Sequence, residues 1–141
     1  HSLRRRQRQM CIRDRYDEYN GSVAVVVCDI NHLSDINIQY GQKAGDQALI
    51  NVAGVLKKIL MDRAYIARIN EGNFVAVMKN VTDAEAGKTF EQIKRTVEKE
   101  CNNGKFGVTI EYGIAMRKAS NRWIMDIVHE AVNDMRDRKG R

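Results

Sequence analysis

The most constraining feature of the chain is a short, continuous apolar run near its beginning. The segment 23–28 reads VAVVVC, is rich in β-branched residues and ends abruptly at Asp29. A run this short and this uniformly apolar is typical of a strand that is buried on both faces. The run therefore predicts a central strand, with Asp29 at its C-terminal end, where the chain emerges from the core.

Helical and extended patterns alternate over the remaining chain. Apolar residues recur at three- and four-residue steps in three segments, which predict amphipathic helices with stripes from Ala48 to Leu60, Ala86 to Cys101 and Ile124 to Met135. A short helix before Gly41 and strands at 64–69, 74–78 and 106–116 complete the order strand, helix, helix, strand, strand, helix, strand, helix. With no repeat and no proline, this order predicts a single α/β domain with a sheet of four or five strands.

Local signals refine these elements. Thr82 and Glu85 have the spacing of a capping box, and Ser120 is a candidate cap for the last helix. Gly113 interrupts the strand predicted at 106–116. A glycine weakens a strand unless another backbone approaches it closely, so we expect a close neighbour there.

The net charge of +6 comes almost entirely from the first fifteen residues. The segment 1–15 holds six arginines and one aspartate, and the other 126 residues carry 18 basic and 17 acidic groups. A basic arm can bind phosphates without sequence preference, which leaves a nucleic-acid-binding module as one alternative. The arm has no aromatic residue and no recognition motif, and the body is nearly neutral, so we expect no specific nucleic-acid partner. Because RQRQMCIRDR is similar to peptides produced by mistranslated adapter DNA, we expect 1–15 to be a disordered or artefactual arm and 16–141 to be the domain.

Cysteine usage and hydropathy indicate the class of protein. Cys11, Cys28 and Cys101 are odd in number and widely spaced, which argues against a disulfide framework and a zinc site. The chain has no run of 18 apolar residues and no signal-peptide pattern. We therefore expect reduced thiols, no membrane span in this chain and a cytoplasmic location.

The segment from Asp29 to Asp46, DINHLSDINIQYGQKAGD, is more specific than these general signals. It resembles the opening signature of the GGDEF family, the diguanylate cyclases, which runs D-[IL]-[DN]-x-[FL]-K-x-x-N-D-x-x-G-H-x-x-G-D. Three later segments resemble further family motifs in the correct order: RINEGNF at 68–74, VTIEYGIA at 108–115 and KGR at 139–141. The resemblance covers about residues 22–141. The opening residues in register are Asp29, Ile30, Leu33, Asn37, Gly41, Gly45 and Asp46.

The resemblance implies a central, mostly antiparallel five-stranded sheet flanked by helices, similar to the nucleotidyl cyclase and polymerase palm. Family members condense two GTP into cyclic di-GMP in bacterial signal transduction, with one GTP held by each of two facing domains. Two carboxylates hold Mg²⁺, a cation that prefers oxygen ligands and bridges phosphates. The implied partners are GTP, a second copy or another GGDEF domain, and the sensor domains of a longer parent protein.

Each matching residue has an implied role and a simpler structural alternative. Asp29 matches a metal carboxylate, with Ile30 lending its carbonyl, although a strand-ending aspartate can also cap the next helix. Asn37 and Asp46 match the residues that read the guanine edge, for which an amide and a carboxylate are suitable. Alternatively, their side chains stabilise a local turn and cap a helix beside Gly41 and Gly45.

The phosphate site is implied by further positions. The backbone amides of His32 and Leu33 match those that approach the nucleotide phosphates, and Arg141 matches the arginine of the ending. Three residues depart from the family pattern by removing a positive charge or adding a negative one. They are Ser34 for lysine, Gln42 for histidine and Asp137 for lysine.

The strongest departure is the tip of the hairpin. In register, the two signature glycines are Asn70 and Glu71, the metal-binding acid is Gly72 and the second acid is Asn73, before the matching Phe74. Glu71 stands one residue early, and because side chains alternate between faces, it cannot replace the missing acid without a shift of register.

We therefore interpret the chain as a degenerate GGDEF domain that lacks cyclase activity and serves as a regulatory, dimerising or GTP-sensing module. It is expected to retain weak GTP binding, with Mg²⁺ as cofactor if that binding is retained. The alternative is an active cyclase that uses Glu71 in an unusual geometry. The feedback motif R-x-x-D falls on 61–64, which read MDRA, so product inhibition is not expected.

Overall fold

The computed structural model describes residues 12–13, 15–16, 19–69, 73–102, 104–118 and 122–139. The elements follow the predicted order, and a single 3₁₀ turn, Met61–Arg63, is added after the second helix. The strands are β1 Val23–Ile30, β2 Tyr65–Arg68, β3 Asn73–Lys79 and β4 Ile110–Arg117, and the helices are α1 Leu33–Tyr40, α2 Gln42–Leu60, α3 Asp83–Glu100 and α4 Ile124–Lys139.

The strands form one sheet in the order β2-β3-β1-β4, and every neighbouring pair is antiparallel. The predicted α/β class with a mostly antiparallel sheet is therefore confirmed. The number of five strands is wrong for the described residues, which contain four. Each of the four apolar segments predicted as strands forms one strand of the sheet. The segment 104–109, which precedes β4, has no strand conformation.

The centre of the sheet is β1, and both of its faces are buried. Side chains from Val23 to Cys28 are at most 1% exposed. Alternate residues join two separate apolar clusters, one formed with α2 and α3 and the other formed with α4. The burial of both faces predicted from VAVVVC is therefore observed. Asp29 lies near the C-terminal end of this central strand, in a sheet that is covered on both faces.

The fold brings α4 unusually close to β4. A Cβ atom added at Gly113 would lie 2.7 Å from Met135 Cα and still closer to Met135 N and Ala131 O. The close backbone expected beside this glycine is therefore α4. The edge strand is also tied to α4 by the Ile114 N–H, which donates to Asp134 Oδ2 at 2.8 Å, and this bond satisfies a backbone group on the edge of the sheet.

The predicted cap of α3 is formed. The Glu85 N–H donates to Thr82 Oγ1 at 3.1 Å, and the Thr82 N–H donates to Glu85 Oε1 at 3.4 Å. This reciprocal pair satisfies donors that have no partner within the helix. The predicted cap Ser120 lies outside the described residues.

Part of the N-terminal segment packs against the domain. Ile12 and Tyr16 are buried in the cluster on the α4 side. The buried Arg117 guanidinium donates to the carbonyls of Tyr16 at 2.5 Å and Tyr19 at 3.0 Å. The packed region thus includes Ile12, whereas the boundary at residue 15 and the character of the arm stay predictions. Within the described part of the chain, no helix combines the length and apolar character needed to cross a membrane.

Candidate functional site

Three polar residues lie side by side where β1 approaches its C-terminal end. Asp29 pairs directly with Asn73 of β3 on one side and with Glu111 of β4 on the other. Directly paired residues of antiparallel strands lie about 4.5–5.5 Å apart. We call these three residues the polar row. The row places two carboxylates next to each other, an arrangement that is unfavourable without nearby positive charge.

A lysine from a flanking helix pairs with each carboxylate of the polar row. Lys139 Nζ, in the last turn of α4, forms an ion pair with Asp29 Oδ2, and Lys94 Nζ of α3 lies 3.5 Å from Glu111 Oε2. The side chain of Asp29 is 22% exposed and that of Glu111 is 19% exposed, so both pairs are partly screened from water. The row is therefore balanced by two internal cations.

The family motif does not point to Lys139, because counting back from Gly140 and Arg141 assigns the lysine position to Asp137. The helical stripe gives a different answer. Steps of four along α4 lead from the buried Ala131 through the buried Met135 to position 139. The periodicity of α4 is thus the sequence signal that identifies Lys139.

The environment of Cys28 reflects the same charges. Burial raises the pKa of the Cys28 thiol well above its ordinary value, the carboxylates of Asp29 and Glu111 raise it further, and Lys139 lowers it. Cys28 is therefore a neutral thiol inside the core, as expected for a reduced structural cysteine.

The residues of the polar row do not fit Mg²⁺. A hard divalent cation needs several oxygen ligands, usually including protein carboxylates. Here the carboxylates of Asp29 and Glu111 are paired with Lys139 and Lys94, and Asn73 offers only a neutral amide. Among the described residues, no group of three or more His, Cys, Asp or Glu side chains could hold a metal ion. The predicted metal ligands Asp29 and Ile30 thus lie together at the end of β1, but without a partner acid from the described part of the hairpin.

The start of α1 offers backbone amides at the other predicted position. His32 adopts a left-handed conformation with φ 59° and ψ 30°, and Leu33 begins the helix. The first N–H groups of a helix lack partners within it, and they are suited to an anion. Asp35 lies in the same first turn, with Oδ2 3.6 Å from His32 Nδ1. Its negative charge counteracts this preference for anions.

Asn37 and Asp46 are brought into one neighbourhood by the packing of α1 against α2. Asn37 Oδ1 is buried and has no hydrogen-bond partner among the described residues. A Cβ atom at Gly45 would overlap the Asn37 amide, so a larger residue there would force the Asn37 side chain to move. The adjacent Asp46 accepts a hydrogen bond from Gln42 Nε2 at 3.1 Å. Gln42, which replaces a family histidine, therefore orients the Asp46 carboxylate.

A cavity of about 420 Å³ lies between α2 and the β2–β3 hairpin. Its walls are mostly apolar, with one carboxylate and one guanidinium, and its volume falls within the range of small-molecule sites. Asp46 and Phe74 are the predicted residues that line it, whereas Asn37 and the polar row do not. Four further lining residues were not predicted as site residues, because only tertiary packing brings them to the cavity. They are Leu49, Ile50, Ala53 and Arg68.

The tip residues Asn70, Glu71 and Gly72 and the C-terminal Arg141 lie outside the described residues, so their roles stay predictions. The hairpin that carries the tip is formed. The Ile69 N–H donates to the Asn73 carbonyl at 3.2 Å, directly below the tip. Phe74 follows in β3 and is buried.

An antiparallel sheet with helices on both faces, a polar row at the end of its central strand and a neighbouring cavity define an α+β domain of the nucleotidyl cyclase type. The chain matches the sequence model described as "Diguanylate cyclase, GGDEF domain" over residues 5–141. It therefore belongs to the GGDEF family. The match begins within the segment predicted as an arm.

Similar proteins agree with this assignment. Diguanylate cyclase A of Treponema denticola is 28% identical over 101 residues, which cover 70% of this chain and 27% of that protein. The active GGEEF domain of a diguanylate cyclase from Vibrio cholerae superposes with a TM-score of 0.78 at 19% identity, covering 94% of this chain and 83% of that domain. The GGDEF domain of DgcB from Caulobacter crescentus, in complex with c-di-GMP, gives 0.77 at 20% identity over 94% and 78% of the two chains. These structural likenesses show the fold. The chain spans about a quarter of the length of the first curated relatives that it matches.

Proposed function

We propose that this chain is a degenerate GGDEF domain that does not make cyclic di-GMP and serves as a regulatory or dimerising module of a longer signalling protein. The single observation that carries the proposal is the state of the polar row. Asp29 is paired with Lys139, and the row continues in Asn73, an amide that stands where the family has an acid. The sequence places glycine at position 72, where the family has its metal-binding acid.

These substitutions remove the charge that the chemistry requires. Attack of a 3′-hydroxyl on an α-phosphorus develops negative charge on the phosphate oxygens, and preorganised positive charge stabilises that transition state. A site with one lysine-paired aspartate cannot hold a divalent ion in the family manner. In this proposal Mg²⁺ enters only as an ion that GTP itself carries on its phosphates.

A guanine pocket is the part of the site that we propose is retained. The buried, unpartnered Asn37 Oδ1, the glycine that admits it and the oriented Asp46 carboxylate support this assignment. Binding is expected to be weak, because the phosphate side has lost positive charges at Ser34 and Gln42. The proposal places the domain in the cytoplasm, where GTP is available.

The proposed partners follow from the family and from the length of the relatives. Family members work as two facing domains, so the expected partner is a second copy or another GGDEF domain. The curated relatives are several times longer than this chain. We therefore propose that sensor domains of a longer parent protein regulate the module.

Catalytic activity is tested by mass spectrometry. The full chain is incubated with GTP and Mg²⁺, and cyclic di-GMP is measured for the wild type, Asp29→Ala and Glu71→Gln. The expected result is no product above background in any of the three. Robust turnover that is lost in Asp29→Ala would refute the inactive assignment, and loss in Glu71→Gln as well would favour the active cyclase that uses Glu71.

Nucleotide binding is tested by calorimetry with GTP. Asn37→Ala and Asp46→Asn are each expected to weaken binding about tenfold, corresponding to one hydrogen bond to a buried polar partner. Asn51→Ala is the matched control, because Asn51 lies on the exposed side of α2 and its side-chain oxygen accepts a hydrogen bond from Gln47 Nε2 at 2.8 Å. Equal binding by Asn37→Ala and the wild type would remove the guanine pocket from the proposal.

A further inference from the structure

The two carboxylates of the polar row, Asp29 and Glu111, are each matched by a lysine from a different helix. We propose that Lys139 is a built-in counter-ion that takes the place of a divalent metal ion at Asp29 and thereby keeps such ions out of the site. This inference rests on the proposed function and deepens it by assigning metal exclusion to Lys139, and its test needs neither nucleotide nor cyclase activity.

The placement of Lys139 is fixed by the packing of α4. The close approach of α4 to β4 at Gly113 sets the height of the helix above the sheet. In the last turns, Asp134 accepts from the Ile114 N–H at 2.8 Å and from Arg138 Nε at 3.0 Å. The Arg138 guanidinium also lies 4.9 Å from the centroid of the Tyr112 ring.

These contacts anchor the residue immediately before Lys139. The ammonium group is therefore held near Asp29 at a high effective concentration, as expected for a group on an anchored helix end. A mobile divalent ion must compete with a cation that is part of the same molecule.

The surroundings offer little to a competing metal ion. Displacing Lys139 would expose a single carboxylate, since Asn73 on one side is neutral and Glu111 on the other is paired with Lys94. Mg²⁺ gives up its water reluctantly and requires near-ideal oxygen geometry. A single aspartate carboxylate beside a displaced lysine does not compensate the ion for the water ligands that it loses.

Binding of Mn²⁺ to the full chain, measured by loss of the free-ion electron paramagnetic resonance signal, tests the proposal without any nucleotide. The wild type is expected to bind Mn²⁺ only weakly, without saturation, whereas Lys139→Met is expected to bind it about fivefold to tenfold more tightly. The double variant Lys139→Met with Asp29→Asn should lose this gain, which would locate the new site at Asp29. Lys139→Arg keeps the charge and should behave as the wild type.

Lys58→Met is the matched control for loss of a lysine. Lys58 forms an exposed ion pair with Glu100, which is not a residue of the polar row, so its removal should leave Mn²⁺ binding unchanged. The proposal is overturned by a wild-type site that Asp29→Asn abolishes, or by a Lys139→Met variant that gains no affinity. Lys139→Gln provides the same comparison with a polar side chain if circular dichroism shows that the methionine variant is not folded.

Discussion

The contact between α4 and Gly113 leads to a quantitative stability prediction for Gly113→Ala. The new Cβ would lie 2.7 Å from Met135 Cα, where ordinary contact begins near 3.4 Å, so α4 must withdraw by at least 0.7 Å. The obstructing atoms belong to backbone and cannot rotate away. Overpacking of this kind costs typically about 1–3 kcal/mol, and the lower backbone entropy of alanine in the unfolded chain returns roughly 0.5–1 kcal/mol.

The contact falls in the middle of a buried helix face, so we take the upper end of this range and expect a net loss of about 2 kcal/mol. This loss corresponds to a decrease in Tm of roughly 6–10 °C. Chemical denaturation followed by far-UV circular dichroism measures it. Gly54→Ala is the matched control, because nothing lies within 4 Å of its added Cβ in the exposed middle of α2. That variant should gain about 0.5–1 kcal/mol. A Gly113→Ala variant as stable as the wild type would refute the close-packing argument.

Further predictions concern a cap, a buried phenol and a buried guanidinium. Thr82→Ala should cost about 1 kcal/mol of unfolding free energy in denaturant titrations, because it removes the hydroxyl oxygen that accepts a hydrogen bond from the Glu85 N–H. Burial and the hydrogen bond to Glu91 raise the pKa of Tyr112 to about 12. The protonated Tyr112 hydroxyl therefore contributes its full share to the free energy of unfolding below pH 10, and this share is lost between about pH 10 and 12. In Tyr112→Phe the free energy of unfolding should depend less on pH in that window. Arg117→Met should cost about 2–4 kcal/mol and speed tryptic cleavage before β1, because Arg117 holds the carbonyls of Tyr16 and Tyr19.

The elements of the fold could be predicted because their signals are local. The continuous apolar run of β1, the helical stripes and the Thr82–Glu85 cap each depend on residues that are close in sequence. Gly113 was also informative, since a glycine inside a strand indicates a close backbone, although only the structure identifies that backbone as α4. The number of five strands came from the resemblance, whereas the described residues contain four.

The candidate site was harder to predict because it is assembled from distant segments. Motif positions identified Asp29 and Asp46, which the structure places at the strand end and in the cavity wall. Arg68 reaches the cavity through the pairing of β2 with β3, and Lys139 reaches Asp29 across 110 residues of sequence. Counting from a terminal motif assigns the family lysine to Asp137 and does not point to Lys139, whose contact with Asp29 follows from the turn of the helix.

The glycine at position 72 and the presence of Lys139 are best understood together under the proposed function. Without a metal ion or Lys139, Asp29 would face Glu111 across the sheet as a second, uncompensated carboxylate. In the proposed arrangement, an acid introduced at position 72 would meet an Asp29 that Lys139 already pairs. The free-energy effects of substitutions within one charge network are not additive. We therefore expect Gly72→Asp alone to leave Mn²⁺ binding nearly unchanged and Gly72→Asp combined with Lys139→Met to strengthen it by more than the product of the two single effects. An equal gain from Gly72→Asp with and without Lys139 would show that the two positions are independent.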